Sequence, residues 1–306
     1  MAIRGIVRWG DFRQPARGPY LVLADGGVLP GDPFEADGKK LALDTNTFGL
    51  LTLPVEQVAG IVFSTPPRQQ AHDKLYLSLL DVTERSDLLL LENGDRVSGL
   101  FLGIDADVIR FRSNLGEFEA SFRRVTAVVL NPALRKRPPA EGLRLWAGFA
   151  DGSRLLSSAL TTEGNALRVG SSAGELSALL TKLTALQPLG GRPVYLSELD
   201  PADYRQIPYL DLAWPFTHDR SVGGGLLRPG NPAAPGQIAL KGLAVHSAGR
   251  LSYDVSAGFE RFEAELAIDA AAPEGSVRFR IFADGQPRFA SGDIRGGMPP
   301  VAVSVP

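Results

Sequence analysis

Six aromatic or planar polar side chains fall close together near the middle of the last third of the chain: Tyr209, Trp214, Phe216, His218, Asp219 and Arg220. A ring beside planar hydrogen-bonding groups can pack on the C–H face of a saturated ring while its neighbours bond the hydroxyls. That is the chemistry of sugar recognition. Trp214 precedes Pro215 in a loop-like stretch, and loops present side chains to ligands. The competing reading packs Trp214 as a lid over a core, because large aromatics are mostly buried.

Other chemistries find little support. The chain has no cysteine, which excludes disulfides, thiolate metal sites and a thiol nucleophile. Its three histidines, His72, His218 and His246, are scattered too widely to suggest a histidine metal site. A glycosidase needs two carboxylates about 5–10 Å apart across a cleft, and no spacing singles out such a pair. No G-x-S-x-G lies in the strand–turn–helix context of a nucleophile elbow, since Gly170–Gly174 falls in a β-meander pattern, and there is no H-E-x-x-H helix motif. The glycines at Gly223–Gly225 follow no strand–turn–helix pattern, so they read as a flexible loop and not a phosphate cradle. These features predict a binder without catalytic activity.

Charge narrows the partners. The 306 residues carry 32 Lys and Arg against 34 Asp and Glu, a net charge of -2. From Gly191 onward there are 11 basic and 13 acidic residues, which leaves 21 of each before it. No basic field exists for nucleic acid or an anionic membrane. No apolar run approaches the roughly 18 residues of a membrane helix. The opening residues lack a signal-peptide pattern, and Ile3–Trp9 reads like a strand in mid-course. Export or a cell-surface location is expected only if the native N-terminus carries such a signal; the compartment is otherwise open.

The elements that would carry these residues show an internal repeat. Asp25-Gly26, Asn93-Gly94 and Asp151-Gly152 each follow an apolar run. After each comes an alternation: Leu41 and Leu43, Ile109 and Phe111, Leu167 and Val169. A second glycine turn follows at Gly49, Gly116 and Gly174, and then a closing apolar run. Those runs are Val55/Val58/Ile61, Phe122/Val125/Val128 and Leu180/Leu183/Leu186. Asp-Gly and Asn-Gly make tight turns, and period-two alternation buries one sheet face, so each copy reads as a β-meander. Residues 66–87 place Leu75, Leu79 and Val82 at helical spacing and predict one amphipathic helix. Residues 131–142 read as a linker, with Arg135, Lys136 and Arg137 as a solvated charge cluster. The expected organisation is a β repeat at 1–66, a connecting helix at 67–87, β repeats at 88–132 and 133–190, and a separate domain at 191–306. The fold class is all-β: three small meander or barrel repeats followed by a jelly-roll β-sandwich.

In the last domain, Phe262, Ala264, Leu266 and Ile268 alternate with charged residues, as do Val277, Phe279 and Ile281; Asp284-Gly285 is a hairpin turn. Two resemblances fit these patterns. The stretch from Leu91 to Leu130 resembles the small bent barrels of Sm-like and SH3-like domains, which by itself implies no function. Residues 194–306 resemble the NPCBM family of carbohydrate-binding modules, jelly rolls found beside glycoside hydrolases and in large bacterial surface proteins. The resemblance rests on the opening YLSELDP, Asp219–Val222, KGLAVHS at Lys241–Ser247, RFEAELAID and GSVRFRIFADG.

The resemblance implies a glycan partner, with Trp214, His218, Arg220, His246 and Tyr209 as contact residues. It places the His246 segment near the binding surface, as a donor to a sugar hydroxyl. It also implies a structural calcium held through Asp269 and Glu274, although Ala270 stands where the family has a second acid. Carbonyl oxygens would have to complete the roughly 6–8 ligands calcium needs. The family's further strands lie beyond Pro306, so an uncovered sheet edge and a jelly roll cut short are expected. The repeats would act as a spacer or protein-docking platform.

Overall fold

The computed structural model describes residues 8–15, 17–137, 142–208, 211–231, 233, 236–255 and 258–306. Of the described residues 49% are strand and 9% helix. It divides into two units, Met1–Pro193 and Val194–Pro306.

In the first unit one order of elements occurs three times. Repeat 1 runs through strands Tyr20–Leu23, Val28–Pro30 continued by Asp32–Ala36, Lys40–Thr45 and Gly49–Pro54, a 3-10 turn Val55–Gln57, and strand Val58–Val62. Repeat 2 runs Asp87–Leu91, Arg96–Asp105, Val108–Ser113, Gly116–Ser121, turn Phe122–Arg124, Val125–Val129. Repeat 3 runs Arg144–Phe149, Arg154–Glu163, Ala166–Ser171, Gly174–Leu179, turn Leu180–Lys182, Leu183–Leu189.

The turn chemistry explains the repetition. Gly26, Gly94 and Gly152 all adopt left-handed backbone, with φ of 90°, 89° and 87°. The residue before each caps the turn through Oδ1, as Asp25 does by accepting from the Gly27 N–H at 2.8 Å. Asn93 does so from Asp95 at 3.1 Å and Asp151 from Ser153 at 2.9 Å. In every copy the first strand pairs with the second and also with the fifth, so the chain returns to its own start and the strand order is 5-1-2-3-4. The alternating residues Leu41, Leu43, Ile109, Phe111, Leu167 and Val169 are all fully buried.

The copies are not independent beads. Their apolar residues form one cluster running through all three. The fifth strands of repeats 1 and 2 pair antiparallel, with Val128 opposite Ile61. Second strands pair at Ile104–Ala36 between repeats 2 and 1, and at Arg154–Val28 between repeats 3 and 1. The fifth strand of repeat 3 takes the short strand Trp9–Gly10 as its neighbour.

Two connector expectations need correction. The helix spans Gln69–Leu80, shorter than 67–87. Leu75 and Leu79 face inward, but Val82 lies beyond the end. The Asp81 N–H closes the last turn on the Leu77 carbonyl, and the β-branched pair Val82-Thr83 disfavours extension. Half of its buried face is polar. His72 Nε2 meets the Tyr20 hydroxyl at 3.1 Å, and His72 Nδ1 meets Gln14 Nε2 at 2.6 Å. The Tyr76 hydroxyl donates to the Gly26 carbonyl and accepts from Arg154 Nη2 at 2.7 Å. Burial raises the Tyr20 pKa well above the ordinary phenol value, so it stays a neutral donor. Gly60 lets the helix lie on the fifth strand of repeat 1, because a Cβ there would stand 2.3 Å from Leu79 Cδ2.

The charge cluster at 135–137 is not simply solvated. The Arg135 guanidinium donates to the carbonyls of Leu130 at 2.6 Å and Ala59 at 3.0 Å. Burial, aided by Arg137, pushes its pKa down to about 10. Lys136 pairs with Glu56 at 2.7 Å. Residues 138–141 of this linker lie outside the described residues.

The second unit is built from nested antiparallel pairs, the order of a rolled hairpin. Asp203–Gln206 pairs with Gly249–Ser252 and encloses Thr217–His218 paired with Leu243–Ala244. Phe262–Leu266 pairs with Val301–Val305, Ser276–Val277 with Ile294–Arg295, and Arg280–Ala283 with Gln286–Ala290. The single strand expected through Val277, Phe279 and Ile281 is broken at Arg278-Phe279. There the Phe279 N–H donates to the Ser291 hydroxyl instead of a main-chain carbonyl. Gly223–Gly225, expected as a flexible loop, forms a hydrogen-bonded turn: Gly224 N–H donates to the Ser221 carbonyl and Gly225 N–H to the Ser221 hydroxyl.

Candidate functional site

Trp214 and His246 stand 32 positions apart in sequence, yet their ring centroids lie 5.2 Å apart with planes tilted by 38°. Trp214 is 46% exposed, so it is not a buried lid. Strand Asp203–Gln206 holds its main chain from both sides. The Trp214 N–H donates to Gln206 Oε1, and the Trp214 carbonyl accepts from the Tyr204 hydroxyl at 2.7 Å. His246 follows strand Leu243–Ala244 and precedes a tight reversal. At Gly249 a Cβ would stand 2.5 Å from Val245 Cγ1 and 2.8 Å from the His246 carbonyl, so glycine lets the His246 loop fold back.

A row of rings supports this pair. Tyr204 lies 4.9 Å from Phe216, and Phe216 lies 4.9 Å from His218. His218 is half-buried, with Nδ1 2.9 Å from the Ser197 carbonyl. A carbonyl only accepts, so Nδ1 carries the proton and fixes the ring. This bond holds the His218 ring beside Phe216. Arg220 is half-buried on the turn that begins at Thr217, whose hydroxyl donates to the Arg220 carbonyl at 2.6 Å. Tyr209 lies outside the described residues.

The sequence did not single out the ion-pair knot at Lys241. Its ammonium meets Asp219 at 2.9 Å and Glu198 at 3.0 Å, and lies 5.9 Å from the Tyr195 ring centroid. Asp219 also accepts from the Gly242 N–H at 3.0 Å and sits at positive φ, 54°. Burial by itself lowers the Lys241 pKa, but hydrogen bonds and charge from Asp219 and Glu198 outweigh it, and the net shift is upward. The knot ties together the YLSELDP segment, the Asp219 turn and the KGLAVHS segment. Three stretches that the resemblance matched separately are thus one physical unit. Scattered matches of opposite charge were the available signal.

Asp269 Oδ1 accepts from the Ala271 N–H at 2.8 Å, which caps its own turn, and Glu274 is exposed. Among the described residues no three His, Cys, Asp or Glu side chains gather as metal ligands.

Residues 192–306 match the NPCBM/NEW2 domain, so the last third of the chain has the family its motifs indicated. No curated protein matches the chain. Two solved structures are similar, both of ZmpB from Clostridium perfringens. One is CBM51-2 in complex with GlcNAc and INT domains: 19% identical, TM-score 0.34, covering 48% of this chain and 32% of that one. The other is the M60 catalytic domain with the CBM51-1 and CBM51-2 domains: 14% identical, TM-score 0.34, covering 97% of this chain and 34% of that one. The chain therefore spans about a third of either neighbour. No helix is long and apolar enough to cross a membrane among the described residues.

Proposed function

We propose that the second unit is a non-catalytic carbohydrate-binding module and that Trp214 and His246 form its contact surface. The observation that carries this reading is the meeting of an exposed indole with an imidazole from a distant loop. The indole offers an apolar face for the C–H side of a pyranose, and the imidazole offers one donor and one acceptor for a hydroxyl. The clamp from Tyr204 and Gln206 fixes the main chain that carries the indole before a ligand arrives, which limits the ordering cost of binding. Arg220 adds a planar donor to this surface. The three repeats serve as spacer or docking platform.

The test is a glycan array on the full chain, followed by calorimetry with each glycan retained. Affinities between about 1 mM and 1 μM are expected. Trp214→Ala should abolish binding, while His218→Asn should weaken it only through the ring support. A silent array, or binding that survives Trp214→Ala, sinks the proposal and favours an interaction protein whose jelly roll binds no sugar.

A further inference from the structure

The contact between repeats 1 and 3 is reciprocal. Asp25, which precedes the turn glycine of repeat 1, accepts a hydrogen bond from Ser172 of repeat 3 at 2.6 Å. Asp151, which precedes the turn glycine of repeat 3, accepts from Thr47 of repeat 1 at 2.5 Å. Ser172 and Thr47 also correspond, each two residues before the second turn glycine. Between these bonds, Val28 pairs with Arg154, again equivalent positions. Phe48 packs edge-on against Phe149 at 5.0 Å, and their counterparts Ala173 and Leu23 are both buried in the shared core. Exchange of equivalent residues across a contact defines an isologous interface, one whose two halves are alike.

Repeat 2 carries the same apparatus facing solvent. At the position of Phe48 and Ala173 stands Leu115, which is 93% exposed. At the position of Leu23 and Phe149, both fully buried, stands Leu91, which is only half-buried. Asn93 and Asn114 replace the hydrogen-bonding pair. An amide donor now stands where the aspartates accept, one of its hydrogens already given to Asp95 Oδ2 at 2.6 Å, and an amide oxygen where the hydroxyls donate, so donor and acceptor have exchanged in step. Exposed Arg124 holds the place of Lys182, whose ammonium reaches across to the Asn46 carbonyl at 2.6 Å.

The geometry points to repeat 2 as a dimerisation surface, on which two copies of this chain pair repeat 2 to repeat 2 as repeats 1 and 3 pair within one chain. A second copy is the fitting occupant because an isologous contact is self-complementary: the same repeat supplies both halves. Leu115 of each copy covers Leu91 of the other. Arg96 is the discordant element, because it would face its own counterpart where repeat 1 offers Val28; opposed like charges weaken such a pair.

Sedimentation equilibrium of the full chain tests this between roughly 1 and 100 μM, the range that resolves a weak dimer. The mass should rise from 32.7 kDa towards twice that value. Leu115→Arg should weaken dimerisation by about tenfold or more without changing thermal unfolding, since Leu115 touches solvent in the single chain. Arg96→Val should tighten the dimer. With no natural cysteine present, the double variant Asn93→Cys, Asn114→Cys should give a disulfide-linked dimer on oxidation. A chain that stays monomeric throughout the range, a dimer indifferent to Leu115→Arg, or a double variant that forms no interchain disulfide overturns the inference.

Discussion

In repeat 3, Leu167 and Val169 alternate with polar neighbours and are fully buried; in the second unit, Phe262, Ala264 and Leu266 alternate as regularly and are only half-buried. The difference lies in what each strand packs against. In the first unit the fifth strand of every copy returns to pair with its first, and three copies press their apolar faces into one cluster. In the second, strands pair two by two, and much of the organisation comes from polar ties: the Lys241 knot, the Ser221 turn, and the hydroxyl of Ser291 on the main chain of Phe279. Period-two patterning therefore fixes which face turns inward, while burial depth depends on how many layers lie behind it.

The largest expected effect tests that contrast in the first unit. Phe149→Ala empties a fully buried ring site and should destabilise by about 3–5 kcal/mol. Calorimetry of the full chain should show two transitions, with only the one belonging to the repeats shifted. A single transition that moves as a whole would show that the units do not unfold separately. A smaller effect belongs to the second unit. Lys241→Met leaves Asp219 and Glu198 without their cation, and since both are partly exposed the cost should be about 1–2 kcal/mol.

That pair also has a pH signature. The folded Lys241 pKa is raised above its ordinary 10.5, so its contribution is fully present below that value. It should be lost as pH rises through the folded pKa. Urea midpoints from pH 8 upward should fall for the wild type in this window and stay flatter for Lys241→Met; parallel curves would remove Lys241 from the account. The smallest effect on stability is expected at the proposed contact surface. Trp214→Ala should change unfolding by less than about 0.5 kcal/mol, because the indole is half exposed, while removing glycan binding. A large stability loss would recast Trp214 as a packing residue.

Much of this was legible in the residues. The turn pairs Asp25-Gly26, Asn93-Gly94 and Asp151-Gly152 carry their geometry locally, so one short motif located three hairpins. The alternations located the buried third strands for the same reason. The helix end was less legible, because its buried face is half polar and Val82 continues an apolar spacing after the hydrogen bonds have stopped. Arg135 was illegible as a buried group, since only the tertiary structure brings the carbonyls of Leu130 and Ala59 to its guanidinium. At the candidate site, residue types pointed to Trp214, but its meeting with His246 depends on a loop reversal that no local pattern encodes. The Lys241 knot joins three segments across more than 40 positions, beyond the reach of any periodicity.

The reciprocal bonds of Asp25 and Asp151 have a further consequence. Repeats 1 and 3 are tethered through repeat 2, so their pairing is an intramolecular event at an effective concentration on the order of millimolar. Dilution cannot separate them. The same contact made by repeat 2 with a second chain has no tether, and its occupancy follows the amount of protein present. One geometry, used twice, thus yields a permanent joint inside the molecule and a concentration-dependent one between molecules.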